Sequence, residues 1–418
     1  MNRSLLRLAW RNLWYNPTRT LIAMAAIGLG YAMLLFVACL MAGLRHQMIE
    51  SGTDLGLSDI EVHAPGYYPD RPIQQTLGGQ HGTDVSKLLA AIAANPQVQA
   101  ASPRVYAYGL ASATDQSAGV QLLGVLPDQE RKITVLQSRM VKGSYLSSRM
   151  PKGVVMGDQL AATIGATVGS KIVLLTPAAD GSLGNDLYTV AGLFHTGLAA
   201  MDQGLVVMPL ASLQELLRLP PGRIHEIGIK LHDVAAAKTT AAALEAQLSK
   251  LIPVRVTPWQ ELAPELADYV QFNRRVTFVL FFIFFVLAAL GIVNTMLMAI
   301  IERTRELGML MAVGMRPAQM VGLIVTEAAS LAAASLVLGA ALGAPLLWYL
   351  QAHGLNLGGQ GRAISLAGVV VAPLWYGRQD FTVYLQAAVG LAVTAVASAL
   401  YPALRAARFR PAEALRKV

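Results

Sequence analysis

Charge is the first thing this sequence lacks. Only 14% of its 418 residues are Asp, Glu, Lys or Arg, against 54% hydrophobic, whereas soluble globular chains carry about 25% charged residues. That balance argues against a soluble globular protein and for a membrane protein. Cysteine is nearly absent: Cys39 is the single one. It falls inside a long apolar run, so the outer domain has no disulfides, and the redox compartment is left open. No segment fits GxxxxGK[ST]. The nearest pieces, "GATVGSK" at 165–171 and the glycines of 351–363, have the wrong spacing, so the chain has no phosphate-cradling loop of its own. HExxH and GxSxG are missing, the seven histidines are dispersed, and His225–Glu226 lacks a second histidine. No catalytic residue and no metal site are therefore expected. His195, in "AGLFHTG", reads either as an outer binding residue or, more simply, as a polar group beside a turn.

What is present is long uncharged sequence. Residues 20–44 lie between Arg19 and Arg45, 276–301 between Arg275 and Glu302, and 381–404 between Asp380 and Arg405, all without a charge. Residues 318–350 contain only Glu327. A bilayer core of roughly 30 Å needs about 20 helical residues, so each run is long enough to span. The first run exceeds a signal-peptide core of about 7–15 residues, and no small-x-small cleavage site follows in "AGLRHQMIE". It reads as a retained anchor.

The formal net charge is +8, but its placement points to topology rather than to nucleic acid. Arg3, Arg7, Arg11 and Arg19 precede the first span; Arg303, Arg305 and Arg316 lie between the second and third; Arg405, Arg408, Arg410, Arg416 and Lys417 follow the fourth. Loop 351–379 has only Arg362 and Arg378. The positive-inside rule puts both termini and the 302–316 connector in the cytoplasm, with anionic headgroups as neighbours. The resulting fold class is a membrane protein with four transmembrane α-helices and a large α+β extracytoplasmic domain between helices 1 and 2. In order, the expected parts are a cytoplasmic amphipathic helix at 1–19, span 20–44, domain 46–275, span 276–301, connector 302–316, span 317–350, loop 351–379, span 380–404 and a basic tail at 405–418.

The 46–275 domain mixes strand and helix signals. "LSDIEVHA" (57–64) alternates as a strand, "DVSKLLAAIAA" (84–94) reads as a helix opened by Asp84, and "QAASPRVYAYGLASA" returns as extended chain. "HEIGIKL" (225–231) alternates again, followed by a helix from Asp233 to about Lys250 and a strand near 253–257. Two similar strand–helix–strand units thus bracket the domain. Between them, about 115–220, short apolar runs broken by Gly and Pro predict a β-rich insert. "LSSRMPKG" and "AADGSLGND" read as surface turns, and Gly-rich 351–379 is too short to be a domain.

Glu327 is the costliest residue to place, about ten residues into the third span. An acid there faces a bundle interior or a pathway, or sits near the headgroups, which allows a structural, a coupling or a proton-transfer role. Asn294, in the inner part of the second span, fits an interhelical hydrogen bond. Gly28, Gly30 and the small residues of 328–345 permit close helix approach.

The connector is a short charged helix. Leu307, Leu310, Met311 and Gly314 recur at i, i+3, i+4 and i+7, while Glu302, Arg303, Arg305 and Glu306 crowd the first turns. Arg316–Pro317 restarts a helix, since proline suits a first turn. Periodicity alone allows two readings: a helix lying on lipid, or a docking helix for a soluble partner. In the second, a rigid link would move both attached spans.

The segment carrying Asn294, Glu302, Arg303, Glu306, Gly308, Ala312 and Gly314 resembles a motif of the MacB/LolC–LolE/FtsX-like permeases, a mechanotransmission (type VII) group of ABC transporters. "PALRAARFRPAEALR" (402–416) resembles the terminal motif of that family, and "LAWRNLWYNPTRT" (8–20) its first amphipathic helix. "LLGVLPDQE", "KGSYL", "GVVMGDQLAATIGATVGSKIVLL" and "YTVAGLFHTGLAAMDQGLVVMPL" look most like the lipoprotein-releasing LolC/LolE branch. The resemblance implies a bacterial inner-membrane permease with a periplasmic domain, working with a separate ABC ATPase dimer, a second identical or homologous permease, a lipoprotein substrate and a periplasmic carrier. This chain itself would bind no cofactor; ATP and Mg would belong to the ATPase, and only 19 residues precede the first span.

The residues expected to receive ATPase movement are Glu302, Arg303, Arg305, Glu306, Leu307, Gly308, Leu310, Met311 and Gly314, with Arg405, Arg408 and Arg410 as further cytoplasmic contacts. An acyl-chain gap would be lined by Leu40, Leu44, Phe278, Phe281, Phe282 and Phe285. Two rival functions are efflux of a periplasmic peptide, toxin or antibiotic, and regulation of an outer partner such as a cell-wall hydrolase. An intrinsic membrane enzyme fits the sequence least.

Overall fold

The computed structural model describes residues 11–12, 14–55, 58–79, 84–147, 149–356, 364–366, 369–371 and 374–408. Arg410, most of the expected helix at 1–19 and most of the tail at 405–418 lie outside the described residues.

The chain runs through α1 (Pro17–Leu55), β1 (Ile60–His63), α2 (Val85–Ala93), β2 (Val98–Ala113), β3 (Gln116–Val125), α3 (Pro127–Glu130), β4 (Met140–Gly143), β5 (Gly153–Gly157) and α4 (Asp158–Thr163). It continues through β6 (Lys171–Pro177), β7 (Leu183–Phe194), α5 (Ala199–Gly204), β8 (Leu205–Pro209), α6 (Leu210–Leu216), β9 (Glu226–Leu231), α7 (Ala237–Leu248) and β10 (Arg255–Pro258). The last part comprises α8 (Trp259–Leu262), α9 (Pro264–Glu302), α10 (Thr304–Ala312), α11 (Pro317–His353) and α12 (Phe381–Ala407). Two short strand pairs, 355–356 with 374–375 and 364–366 with 369–371, lie within the loop expected at 351–379. The chain divides into a helical unit (residues 1–46, 271–357 and 374–418) and an α+β unit (47–270 and 358–373).

In the helical unit α1, α9, α11 and α12 are each long and apolar enough to cross a membrane. All four helices extend past the apolar runs; α1 and α9 have 39 residues each. Small residues set how closely they pack. A Cβ on Gly339 of α11 would come 2.5 Å from the Gly28 carbonyl oxygen of α1, and one on Gly30 would come 2.6 Å from the Phe284 ring of α9. On α12 the fully buried positions Ala387, Leu391, Ala395, Ala399 and Ala403 recur every fourth residue, a nearly flat stripe of the kind that lets membrane helices approach. With Ile292, Met296, Met320, Ile324 and Leu331 they form the core. α9 is the least buried of the four.

In the α+β unit Asp84 caps α2 by accepting from the Ser86 amide (3.1 Å), and Leu88 and Ile92 bury one face of that helix. The four base strands lie in the order β10–β1–β9–β2 with antiparallel neighbours. Helices α2 and α7 make the crossovers, which is the split βαβ arrangement. The two sequence units therefore interleave, with β1 between β9 and β10. The insert continues the same sheet. Over Val98–Arg104, β2 pairs with β9; further on, its residues Leu110–Ser112 pair with β6, while β3 pairs with it along Arg104–Ala113. Gly109 sits where β6 comes closest, and a Cβ there would be 2.3 Å from the Leu175 carbonyl oxygen. The rest of the order is β3–β8–β5–β7–β4. The turn expected over 178–186 is shorter than the sequence suggested, because Leu183–Asp186 already belong to β7, paired with β6. Tyr106, Leu123, Val125, Leu136, Val155, Phe194 and Val207 form the core of the insert.

Candidate functional site

The cytoplasmic end of the helical unit gathers the charges that the sequence scatters. α9 ends at Glu302, Arg303 leaves helical geometry (φ −108, ψ 18), and α10 starts at Thr304. The Thr304 hydroxyl donates back to the carbonyls of Ile300 and Ile301 (2.9 Å each), satisfying acceptors freed by the break. α10 ends in a turn in which Gly314 has φ +107 and the Met315 amide donates to the Leu310 carbonyl (3.0 Å). That left-handed position favours glycine. Pro317 then opens α11, and the Gln319 side chain accepts from the Arg316 amide (2.9 Å).

Four elements meet at this break. Arg19 of α1 donates to Glu302 (2.7 Å). Arg303 donates through Nε to Glu306 of α10 (3.0 Å), and its Nη1 lies 3.5 Å from Glu327 of α11. Its guanidinium carbon is 5.5 Å from the centre of the Tyr15 ring. Glu327 is buried, together with Leu331 and Met296, in a small polar void that Asn12, Asn16 and Thr20 also line. Arg303 is the one cation within ion-pair distance of it among the described residues.

The faces of α10 are divided. Leu307 and Gly308 are buried and Leu310 and Met311 pack against the helical core, so these predicted input residues face the chain's own bundle. Gly314 is in the exposed turn. Arg305, Met309 and Val313 point outward at i, i+4 and i+8, with Met309 47% and Val313 89% exposed. The sequence reading missed the last two; two apolar residues four apart beside Arg305 were the available signal. Arg405 and Arg408 are exposed at the end of α12.

Of the expected gap residues, Leu40 is buried in the bundle, Leu44 is buried near the end of the first run, Phe281 and Phe285 pack against the bundle, and Phe278 and Phe282 are exposed. Asn294 is exposed and borders an open groove of about 350 Å³ with Arg19, Ile22, Ala26, Gly291 and Met298.

Two polar groups stand out in the α+β unit. Asp158, His195 and Asp202 bring potential ligand atoms within 4.8 Å of one another. Asp202 already accepts from the Thr196 amide and hydroxyl and the Gly197 amide (2.8 Å each). His195 Nδ1 faces Asp158 at 3.1 Å and Asp202 at 3.4 Å. The hydrogen bond with Asp158, helped by both carboxylate charges, holds the His195 pKa above its usual 6.5. This is the arrangement of an ion pair that fixes a loop.

The second group is a buried charge cluster. Arg104 binds Glu130 through two nitrogens (2.6 and 3.3 Å) and Ser58 (2.9 Å), and lies 3.7 Å from Glu226; Arg104, Glu130 and Glu226 are all completely buried. Arg71 lies 3.6 Å from Glu61 and 4.5 Å over the Tyr106 ring. Gly228 leaves the space, since a Cβ there would be 2.4 Å from Ser58 Oγ and 3.0 Å from Arg104 Cζ. Burial, reinforced by the charge of Glu61, pushes the Glu226 pKa up to about 8.

Four membrane-length helices, a cytoplasmic helical connector and a large extracytoplasmic α+β domain define a multi-pass inner-membrane permease. The MacB-like periplasmic core domain matches residues 20–247 and the FtsX-like permease C-terminal domain matches residues 278–411. The chain belongs to the MacB/FtsX family of ABC-transporter permeases, a membership that implies an ABC ATPase partner. The lipoprotein-releasing system transmembrane protein LolC of Neisseria meningitidis is 27% identical over 412 residues, covering 95% of this chain and 94% of its own. The macrolide export ATP-binding/permease protein MacB of Nitrobacter winogradskyi is 26% identical, covering 98% of this chain and 59% of its own. The periplasmic region of MacB from Actinobacillus actinomycetemcomitans is similar with a TM-score of 0.35 at 14% identity, over 50% of this chain and 91% of its own.

Proposed function

We propose that the chain is the permease subunit of an ATP-driven complex that releases lipoproteins from the inner membrane. A separate ABC ATPase dimer, carrying ATP and Mg, moves α10; the attached helices carry the movement to the periplasmic domain. The observation that carries this reading is the division of α10. Its inner face is occupied by its own bundle, while Arg305, Met309 and Val313 stay exposed, a charged and apolar stripe suited to a protein surface. Because α10 is linked to α9 by one non-helical residue and to α11 by a short turn, a push on it reaches two spans.

The lipoprotein assignment is favoured by a LolC relative that matches nearly end to end, whereas the MacB relative extends well beyond the match. Exposed Phe278 and Phe282 on the sparsely packed α9 offer apolar area to an acyl chain or to a second permease. On the insert, exposed Tyr108 and Leu110 of β2 and Leu183 and Leu187 of β7 share one sheet face, joined through Val173 and Leu175 of β6. That apolar face suits a periplasmic carrier. The test is to isolate the complex from native membrane and identify what co-purifies. A triacylated lipoprotein is expected. An outer-membrane tunnel or adaptor in its place would establish efflux, a cell-wall hydrolase would establish regulation, and either would overturn lipoprotein release.

A further inference from the structure

The geometry points to Glu327 and Arg303 as a latch that holds the connector α10 in one position against α11. This rests on the reading of α10 as the input of the complex, and adds how its position is set.

Arg303 is the only residue between α9 and α10, so its side chain lies on the pivot between them. One guanidinium serves two acids, Glu306 on the moving side at 3.0 Å and Glu327 on the fixed side at 3.5 Å. Its planar fork of donors allows this; a lysine point charge would reach one acid at a time. Next to it, Arg19 and Glu302 tie α1 to the end of α9 at 2.7 Å. Glu327 is the acid that gives the latch its force. Its side chain is 10% exposed, on a helix long and apolar enough to span a membrane, where a carboxylate without a partner is costly. A small rotation of α10 at Arg303 carries the guanidinium away and leaves Glu327 without an ion pair, facing Arg19 across the void they share. The penalty rises abruptly with the first ångströms of movement, so the connector holds its place until pushed and then yields. Glu327 and Arg303 are positioning residues that touch neither nucleotide nor cargo.

The test uses the full chain alone in lipid nanodiscs and needs no ATPase, so its outcome is independent of whether α10 binds one. With Cys39 replaced by Ala, spin labels are attached through Val313→Cys and Val337→Cys, both at exposed positions, and the distance distribution between α10's end and α11 is measured. The wild-type pair should give one narrow distribution. Glu327→Gln, isosteric but uncharged, should widen it about two-fold, and Arg303→Gln to the same degree. The double variant should be no wider than either single one, because both act through one contact. Leu331→Ala, which removes buried apolar packing one turn further along, should leave the distribution narrow. A narrow distribution in Glu327→Gln, widening in Leu331→Ala equal to that in Glu327→Gln, or additive widening in the double variant would each overturn the latch.

Discussion

Replacing Arg104 by Met tests the frame on which the periplasmic domain is built. Arg104 is wholly buried, donates two hydrogen bonds to Glu130 and one to Ser58, and lies 3.7 Å from Glu226. Burial opposes its charge most strongly, but Glu130, Tyr106 and Glu226 together outweigh it and raise its pKa. Methionine fills much of the space yet leaves Glu130 and Glu226 buried without the guanidinium that pairs with them. Removing one partner of such a pair costs about 3–5 kcal/mol, equivalent to two to four powers of ten at about 1.36 kcal/mol each. The assay is amide hydrogen exchange on the full chain, read on peptides covering β2 and β9. Protection there should fall by about 10² to 10⁴. Replacing the acids as well, as Arg104→Met with Glu130→Met and Glu226→Gln, should recover most of it, because an apolar substitute for a buried pair is often neutral or better. A loss below about tenfold, or no recovery in the triple variant, would show that Arg104 does not hold these acids in the folded domain.

Other expectations follow from single contacts. Gly339→Leu should lower thermal stability of the full chain in detergent by about 1–3 kcal/mol through overpacking against α1, whereas Gly322→Leu, with open space around it, should leave it unchanged. Because the folded-state pKa of Glu226 is raised from 4.5 to about 8, its contribution is complete below pH 4.5 and lost as pH rises through 8. Wild-type melting temperature should therefore fall between about pH 5 and pH 8, and Glu226→Gln should flatten that fall. His195 should titrate above 6.5 by NMR of its imidazole, and Asp158→Asn should bring the midpoint down; the ion pair helps below 6.5 and fades as pH rises past the raised midpoint. Glu302→Gln, which breaks the pair with Arg19, should reduce ATPase-coupled transport while membrane insertion, measured by fractionation, stays at the wild-type level.

The membrane spans were legible because a bilayer punishes charge, so long apolar runs bounded by charged residues stand out whatever they pack against. The connector was legible as well: Arg316–Pro317 and the charges at 302–306 mark a stop and a restart that depend on local chemistry. Which face of α10 is free was not. Leu307, Leu310 and Met311 form an apolar stripe, and periodicity cannot say whether such a stripe meets the same chain or another; the bundle takes it, and Met309 and Val313 are left outside. The strand–helix–strand units were visible, but not their interleaving, because β1 pairs with strands that lie far along the chain, at 226–231 and 255–258. Arg104 reads as an ordinary strand charge; its burial is made by Ser58, Glu130 and Glu226, brought from three separate segments. Glu327 announced a problem, and only the fold names Arg303 as its partner.

The proposed role of α10 is to be the surface through which a separate ABC ATPase acts. Its most direct test is affinity purification of the full chain from native membrane in lipid nanodiscs, with binding of the recovered ATPase measured for wild type, Met309→Asp and Val313→Asp. A stable complex with an ABC ATPase is expected, weakened at least about tenfold by either exposed-face variant, a change of about 1.4 kcal/mol, with membrane insertion unaffected. Recovery of no ATPase, or equal binding by all three proteins, would contradict it.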